Sequence, residues 1–168
     1  MDAGQMLPAT VLVVDNDPLT LTGIGAAMDM AGFECHGARG AEAALKAVRT
    51  LPLDVVISDT ELGNDCGIEL FNELQQEAHM GEVPWIFLSG RGDDRERVLA
   101  LRQGCGIFFL RKPFDPEVLV ALVDKSLWMP HLVQSHVAQR QPAAATTSKP
   151  EIKTPKFESS PNYSKAEF

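Results

Sequence analysis

Residues 11–20 read VLVVDNDPLT: four aliphatic side chains in a row, then Asp15-Asn16-Asp17, then a proline. A continuous apolar run closed by polar turn residues is the pattern of a strand buried on both faces. The pattern returns in VVIS at 55–58 and WIFL at 85–88. Strands are therefore expected at 10–14, 54–58 and 84–89, with shorter candidates at 33–36 and 107–110.

Helical periodicity fills the intervals. Leu21, Ile24, Met28 and Ala31 share one face; Ala41, Ala44, Leu45 and Val48 share another; Ile68, Phe71, Leu74 and Ala78 form a third. A fourth helix, roughly 93–102, is charged and thinly apolar, so light packing is expected. A fifth, 116–128, carries an unbroken apolar run at 118–123, wider than a core-facing stripe. Five strand–helix alternations imply an α/β fold with a doubly wound, open, five-stranded parallel sheet and five helices.

Composition narrows the function. The 168 residues carry a formal charge of −8 and 45% hydrophobic residues, a normal globular balance. Residues 1–129 hold ten Lys+Arg against twenty Asp+Glu, whereas 130–168 hold five against three. An acidic folded part offers no basic face to phosphates, so no nucleic-acid partner is expected. No apolar run is long enough to span a membrane, and MDAGQMLPAT lacks the regions of a signal peptide, so the expected location is cytoplasmic. Cys35, Cys66 and Cys105 are widely spaced and read as reduced, partly buried thiols rather than zinc ligands. The chain divides into a short extension (1–9), a folded domain (10–129) and a Pro/Ser/Thr/Lys-containing tail (130–168) too polar to offset its ordering entropy, hence expected to be disordered.

In open α/β sheets ligands bind beyond the carboxyl ends of the strands. There the sequence places Asp15-Asn16-Asp17, Asp59, Ser89-Gly90, and Arg111-Lys112-Pro113. This set suits phosphoryl transfer. A carboxylate can act as nucleophile, other oxygens can hold Mg²⁺, and a lysine and a hydroxyl can contact phosphoryl oxygens.

With VLVVDNDP, DVVISDTELGNDCGIEL, FLSG and FFLRKPFDPEVL in this order, the chain resembles the receiver domain of bacterial two-component response regulators from about residue 10 to 128. The resemblance implies a flavodoxin-like sheet of order 2-1-3-4-5, without an output domain. It implies Asp59 as phosphoacceptor and a Mg²⁺ site of Asp15, Asn16, Asp59 and the Glu61 carbonyl. Ser89 would be the switch hydroxyl, Lys112 the phosphate-pairing lysine, Phe109 the aromatic switch, and Lys112–Pro113 a cis bond. The implied partners are a histidine kinase or histidine phosphotransfer protein as donor and a downstream protein target. The implied output face, a candidate homodimer contact, comprises the fourth helix, fifth strand and fifth helix. Such a protein is a phosphoacceptor in signalling rather than a turnover enzyme.

Departures from the family pattern sharpen the reading. Asn16 stands where a second acid is usual, which predicts weaker Mg²⁺ binding and raises the alternative of a pseudo-receiver that only binds partners. Gly63 replaces a common proline, and Cys66 a small polar or acidic residue. Asp17 before Pro18 reads as a helix cap. Taken literally, Asp15-Asn16-Asp17 is also the DxD of a haloacid dehalogenase-type phosphatase, a remoter alternative that Pro18, Leu19 and the absence of a later acidic strand end disfavour. The Arg91-Gly92-Asp93 tripeptide carries no separate function.

Overall fold

The computed structural model describes residues 6–101 and 106–138. The chain enters β1 (Thr10–Asp15), α1 (Pro18–Met30), β2 (Glu34–Arg39), α2 (Ala41–Thr50) and β3 (Val55–Asp59). A tight hairpin follows, β4 (Glu61–Leu62) and β5 (Asp65–Cys66), then α3 (Gly67–Leu74), β6 (Trp85–Ser89), α4 (Asp94–Leu99), β7 (Ile107–Arg111) and α5 (Pro116–Ala138). The main sheet runs β2-β1-β3-β6-β7, every pair parallel. Counting only these five strands, this is the expected order 2-1-3-4-5.

Strand alternation sorts the apolar runs to two sides. Leu12, Val14, Val56, Trp85 and Phe87 face one core with Ala44 and Val48 of α2, Ile68, Phe71 and Leu74 of α3, and Val98 of α4. Val11, Val13, Val55, Ile57, Ile86 and Leu88 face the other, with Ile24 and Met28 of α1 and Leu119 and Val123 of α5. Two buried faces explain why these strands read as continuous apolar runs. On the first side Phe71 meets Trp85 edge-on at 5.1 Å and Phe87 at 5.7 Å. Such aromatic pairs add about 0.5–1.5 kcal/mol each beyond burial.

Several boundaries differ from the sequence reading. The second strand lies later than 33–36, because Gly37, Ala38 and Arg39 pair with Val13, Val14 and Asp15; neighbour pairing overrides their weak strand preference. Helix α3 stops at Leu74, so Ala78 lies outside it and is exposed, while Met80 turns inward. Helix α4 is short, yet it is anchored by fully buried Val98 and Asp94 rather than lying loosely on the surface.

The run 118–123 is divided, with Leu119 and Val123 buried and Val118 51% exposed. Helix α5 continues through the expected boundary at Met129 to Ala138. The remainder of the tail, 139–168, lies outside the described residues, as do residues 1–5 and Cys105. Cys35 and Cys66 are free and half-buried, and burial together with the charge of Asp29 pushes the Cys35 thiol up to about 11. No helix among the described residues is long and apolar enough to cross a membrane.

Candidate functional site

Parallel register brings the last residues of β1, β3 and β6 and the residue following β7 to one edge, which gathers Asp15, Asp59, Ser89 and Lys112. Lys112 Nζ donates to Asp59 Oδ2 and, at 3.2 Å, to Asp15 Oδ2. The ammonium thus bridges two carboxylates that are 8% and 3% exposed. Each carboxylate is oriented by its own following turn. Asp15 Oδ1 accepts from the Asp17 N–H, and Asp59 Oδ1 from the Glu61 N–H, both at 2.8 Å. The Lys112 N–H in turn donates to the Ser89 carbonyl at 2.8 Å, and the Lys112–Pro113 bond is cis.

Two carboxylates against one ammonium leave the cluster with excess negative charge, and the proton affinities follow. Burial pushes the Asp59 carboxyl above the ordinary aspartate range; hydrogen bonds from Lys112 and Glu61 oppose this, and the charge of Asp15 reinforces it. Burial disfavours the Lys112 ammonium, but the hydrogen bond and charge of Asp59, backed by Asp15, outweigh it and raise its pKa.

The hairpin after Asp59 decides what else faces this edge. Antiparallel residue pairs alternate between bonded and non-bonded. Gly67 N–H donates to the Thr60 carbonyl at 2.9 Å, so the next pair, Glu61–Cys66, is a non-bonded one. The Glu61 carbonyl is therefore left outside the ladder. Among the described residues no group of three or more His, Cys, Asp or Glu side chains is arranged to hold a metal. A cation here would rest on Asp15, Asp59, the Glu61 carbonyl and water, an oxygen-only set that fits Mg²⁺, which keeps several waters. The carboxamide of Asn16 lies between two glycines of positive φ. Its Oδ1 is 3.3 Å from where a Gly40 β-carbon would stand, and its Nδ2 occupies the space a Gly63 β-carbon would need.

Asp17 is at the N-cap of α1: its carboxylate accepts from the Leu19 N–H at 3.1 Å and from Thr20 Oγ1 at 2.8 Å, with Pro18 opening the helix. Phe109 sits in β7 beside Phe87, half-buried against the first core. Arg91 is exposed above the edge, reaching Glu61 Oε1 and Asp93 Oδ1, each at 3.4 Å.

One residue escaped the sequence reading altogether. Asp94, 1% exposed, accepts from Ser89 Oγ at 2.7 Å and Thr60 Oγ1 at 2.8 Å on Oδ2, and from Arg97 Nη1 at 3.0 Å on Oδ1. Burial works against its carboxylate, yet the donors Ser89, Thr60 and Arg97 hold its pKa below the ordinary range. An acid at the start of a charged helix ordinarily reads as solvated. Only the packing of α4 against β6 and β7 turns this one inward.

Comparison with known proteins agrees with this geometry. The chain is 30% identical over 116 residues to the phosphate regulon transcriptional regulatory protein PhoB of Pseudomonas aeruginosa, covering 69% of this chain and 50% of that protein. It thus spans about half the length of the curated relatives it matches. The structure of NtrX from Brucella abortus superposes with a TM-score of 0.69 at 26% identity, over 84% of this chain and 32% of that one. The chemotaxis response regulator CheY4 of Vibrio cholerae, at 24% identity, shares the fold with a TM-score of 0.64 over 71% of this chain and 99% of its own. The response regulator receiver domain family matches residues 11–124. That match runs from β1 into α5, across every element that contributes to the strand-end cluster, and the chain belongs to the response regulator receiver domain family of two-component signalling.

Proposed function

We propose that Asp59 accepts a phosphoryl group from a phosphohistidine on a histidine kinase or histidine phosphotransfer protein. The observation that carries this reading is the Lys112 ammonium bridging Asp15 and Asp59 at the carboxyl edge of the sheet. An Asp59 carboxylate oxygen forms a bond to phosphorus, the P–N bond to the donor imidazole breaks, and the electron pair leaves on that nitrogen, which takes up a proton. Asp15, Asp59 and the Glu61 carbonyl would hold Mg²⁺, with Asn16 able to offer only a neutral oxygen, and the ion would supply charge neutralisation for the transferred group. Lys112 supplies a positive charge within reach of the same oxygens.

Once Asp59 carries the acyl phosphate, Ser89 would be the hydroxyl that turns to bond a phosphoryl oxygen, and Phe109 would follow on the neighbouring strand. This biases the face of α4, β7 and α5 between two arrangements, through which a downstream protein or a second copy of the chain is engaged. The protein turns over no free metabolite; it assists only its own phosphorylation and dephosphorylation. Asp17 has its carboxylate committed to the α1 cap, which counts against the phosphatase alternative.

The test is incubation with acetyl phosphate or phosphoramidate and Mg²⁺, followed by mapping of the phosphate. Label on Asp59 that disappears in Asp59→Ala is expected. Label on Asp15 supports a phosphatase, and no label from small donors or a cognate kinase favours a phosphorylation-independent binding module.

A further inference from the structure

Ser89 carries one hydroxyl proton, and in this structure that proton is already committed. A serine hydroxyl donates once and accepts through its lone pairs. Ser89 Oγ donates to Asp94 Oδ2 at 2.7 Å, while Arg91 N–H donates to the same Oγ at 3.0 Å. The carbonyl of Arg91 lies farther, at 3.5 Å, and competes poorly. Ser89 therefore cannot donate to a phosphoryl oxygen on Asp59 without first leaving Asp94.

Asp94 is placed to make that departure costly. Its carboxylate is buried, and its Oδ2 gathers two hydroxyls from the two strand ends that flank the reaction. One hydroxyl belongs to Thr60, next in sequence to the phosphoacceptor; the other is Ser89 at the end of β6. Arg97, exposed on α4, holds the other oxygen from the solvent side at 3.0 Å. Charge-assisted hydrogen bonds are about twice as strong as neutral ones, and a buried carboxylate that loses a donor is left underbonded. Release of Ser89 therefore disturbs Asp94, which opens α4, and the strain is delivered to the element that lines the output face.

We propose that Asp94 is a positioning residue that latches Ser89 and Thr60 in the unphosphorylated protein, so that the phosphoryl group must compete with this carboxylate for the switch hydroxyl. The latch sets how readily the receiver switches and ties that switching to α4. This inference rests on Asp59 being the phosphoacceptor.

The test uses the full chain with Mg²⁺ and beryllofluoride, a stable mimic of the aspartyl phosphoryl group, titrated to half-saturation by NMR. Asp94→Asn keeps the shape but weakens the acceptor; Asp94→Ala removes it. Half-saturation is expected at about tenfold lower beryllofluoride in Asp94→Ala, with Asp94→Asn in between, from the size of one charged hydrogen bond. In a Ser89→Ala background the same Asp94 substitutions are expected to have no such effect, as a double-mutant cycle requires if Asp94 acts through Ser89. A residue that merely supports the fold would lower the melting temperature while leaving half-saturation unchanged or raising it. Either of those results with Ser89 in place, or an equal gain without Ser89, overturns the latch. Wild-type protein that takes up neither beryllofluoride nor phosphate on Asp59 would overturn the phosphoacceptor reading as well, so the two failures are distinct.

Discussion

A β-carbon on Gly67 would overlap the carbonyl oxygen of Asp59, because the first turn of α3 crosses directly over the end of β3. Ser58 Oγ, which donates to that same carbonyl at 3.0 Å, would also stand 3.0 Å from the added atom. No flexible side chain can yield here; the obstacle is backbone. Gly67→Ala is expected to cost about 1–3 kcal/mol, the range for overpacking a filled site. It should also displace the strand end that presents the Asp59 carboxylate. Urea unfolding should show a lower midpoint with an unchanged slope, and phosphoramidate labelling of Asp59 should slow. Normal labelling at normal stability would mean that the α3 entry shifts without consequence.

Asp17 separates a capping role from a chemical one. Its side chain satisfies the Leu19 N–H and binds Thr20, while its backbone N–H holds Asp15 Oδ1. Asp17→Ala removes the cap but keeps the N–H. The melting temperature should fall and the rate of Asp59 labelling should stay within about twofold of wild type, as for a lost N-cap remote from the reacting oxygens. A collapse in labelling with little loss of stability would assign the Asp17 carboxylate to the chemistry.

These residues also show what can be read from the chain and what cannot. β1, β3 and β6 were legible because burial on both faces leaves no polar alternation to confuse them. The edge strand β2 was only partly legible, since Gly37 and Ala38 are held by pairing to β1 rather than by their own preference. The hairpin β4–β5 was invisible, because two-residue strands carry no periodicity. In the site, Asp15, Asp59, Ser89 and Lys112 could be found by asking which residues end strands. Asp94 ends no strand. Its partners, Thr60 and Ser89, lie 34 and 5 positions away, and nothing in the charged stretch around it distinguishes a latch from a solvated acid.

Lys112 predicts a pH signature with two limbs. Its raised pKa means that its contribution to stability is complete below the ordinary lysine value and is lost as pH rises through the higher folded value. Lys112→Met leaves Asp15 and Asp59 facing each other without their shared cation. At neutral pH the substitution should cost about 1–3 kcal/mol, below the usual cost of breaking a fully buried pair because the lysine is partly solvated. On acidification the deficit should shrink. The Asp59 carboxyl, already raised in the folded protein, takes up a proton before an unfolded aspartate does, and a neutral carboxyl no longer needs the ammonium. Urea midpoints of both proteins should lie furthest apart near neutral pH and converge towards both the acidic and the strongly alkaline ends, and parallel curves would refute the shared-cation account.

Asn16 is expected to set the strength of the proposed cation site. The cluster already carries more negative than positive charge, yet the position beside Asp15 contributes only a neutral amide, lodged between Gly40 and Gly63. Replacing it with aspartate adds a charge in nearly the same volume. A unit charge at about 4 Å gains about 4 kcal/mol gross at an effective dielectric of 20, most of which desolvation and repulsion from Asp15 take back. Asn16→Asp is therefore expected to tighten Mg²⁺ binding by about tenfold, the factor that corresponds to ~1.4 kcal/mol. Isothermal titration with Mg²⁺ measures this directly. Because the Asn16 amide nitrogen sits where a Gly63 β-carbon would go, Gly63→Ala should oppose the gain by crowding residue 16, and its φ of 72° strains any side chain there. Unchanged or weaker Mg²⁺ affinity in Asn16→Asp would show that residue 16 stands too far from the cation for its charge to matter.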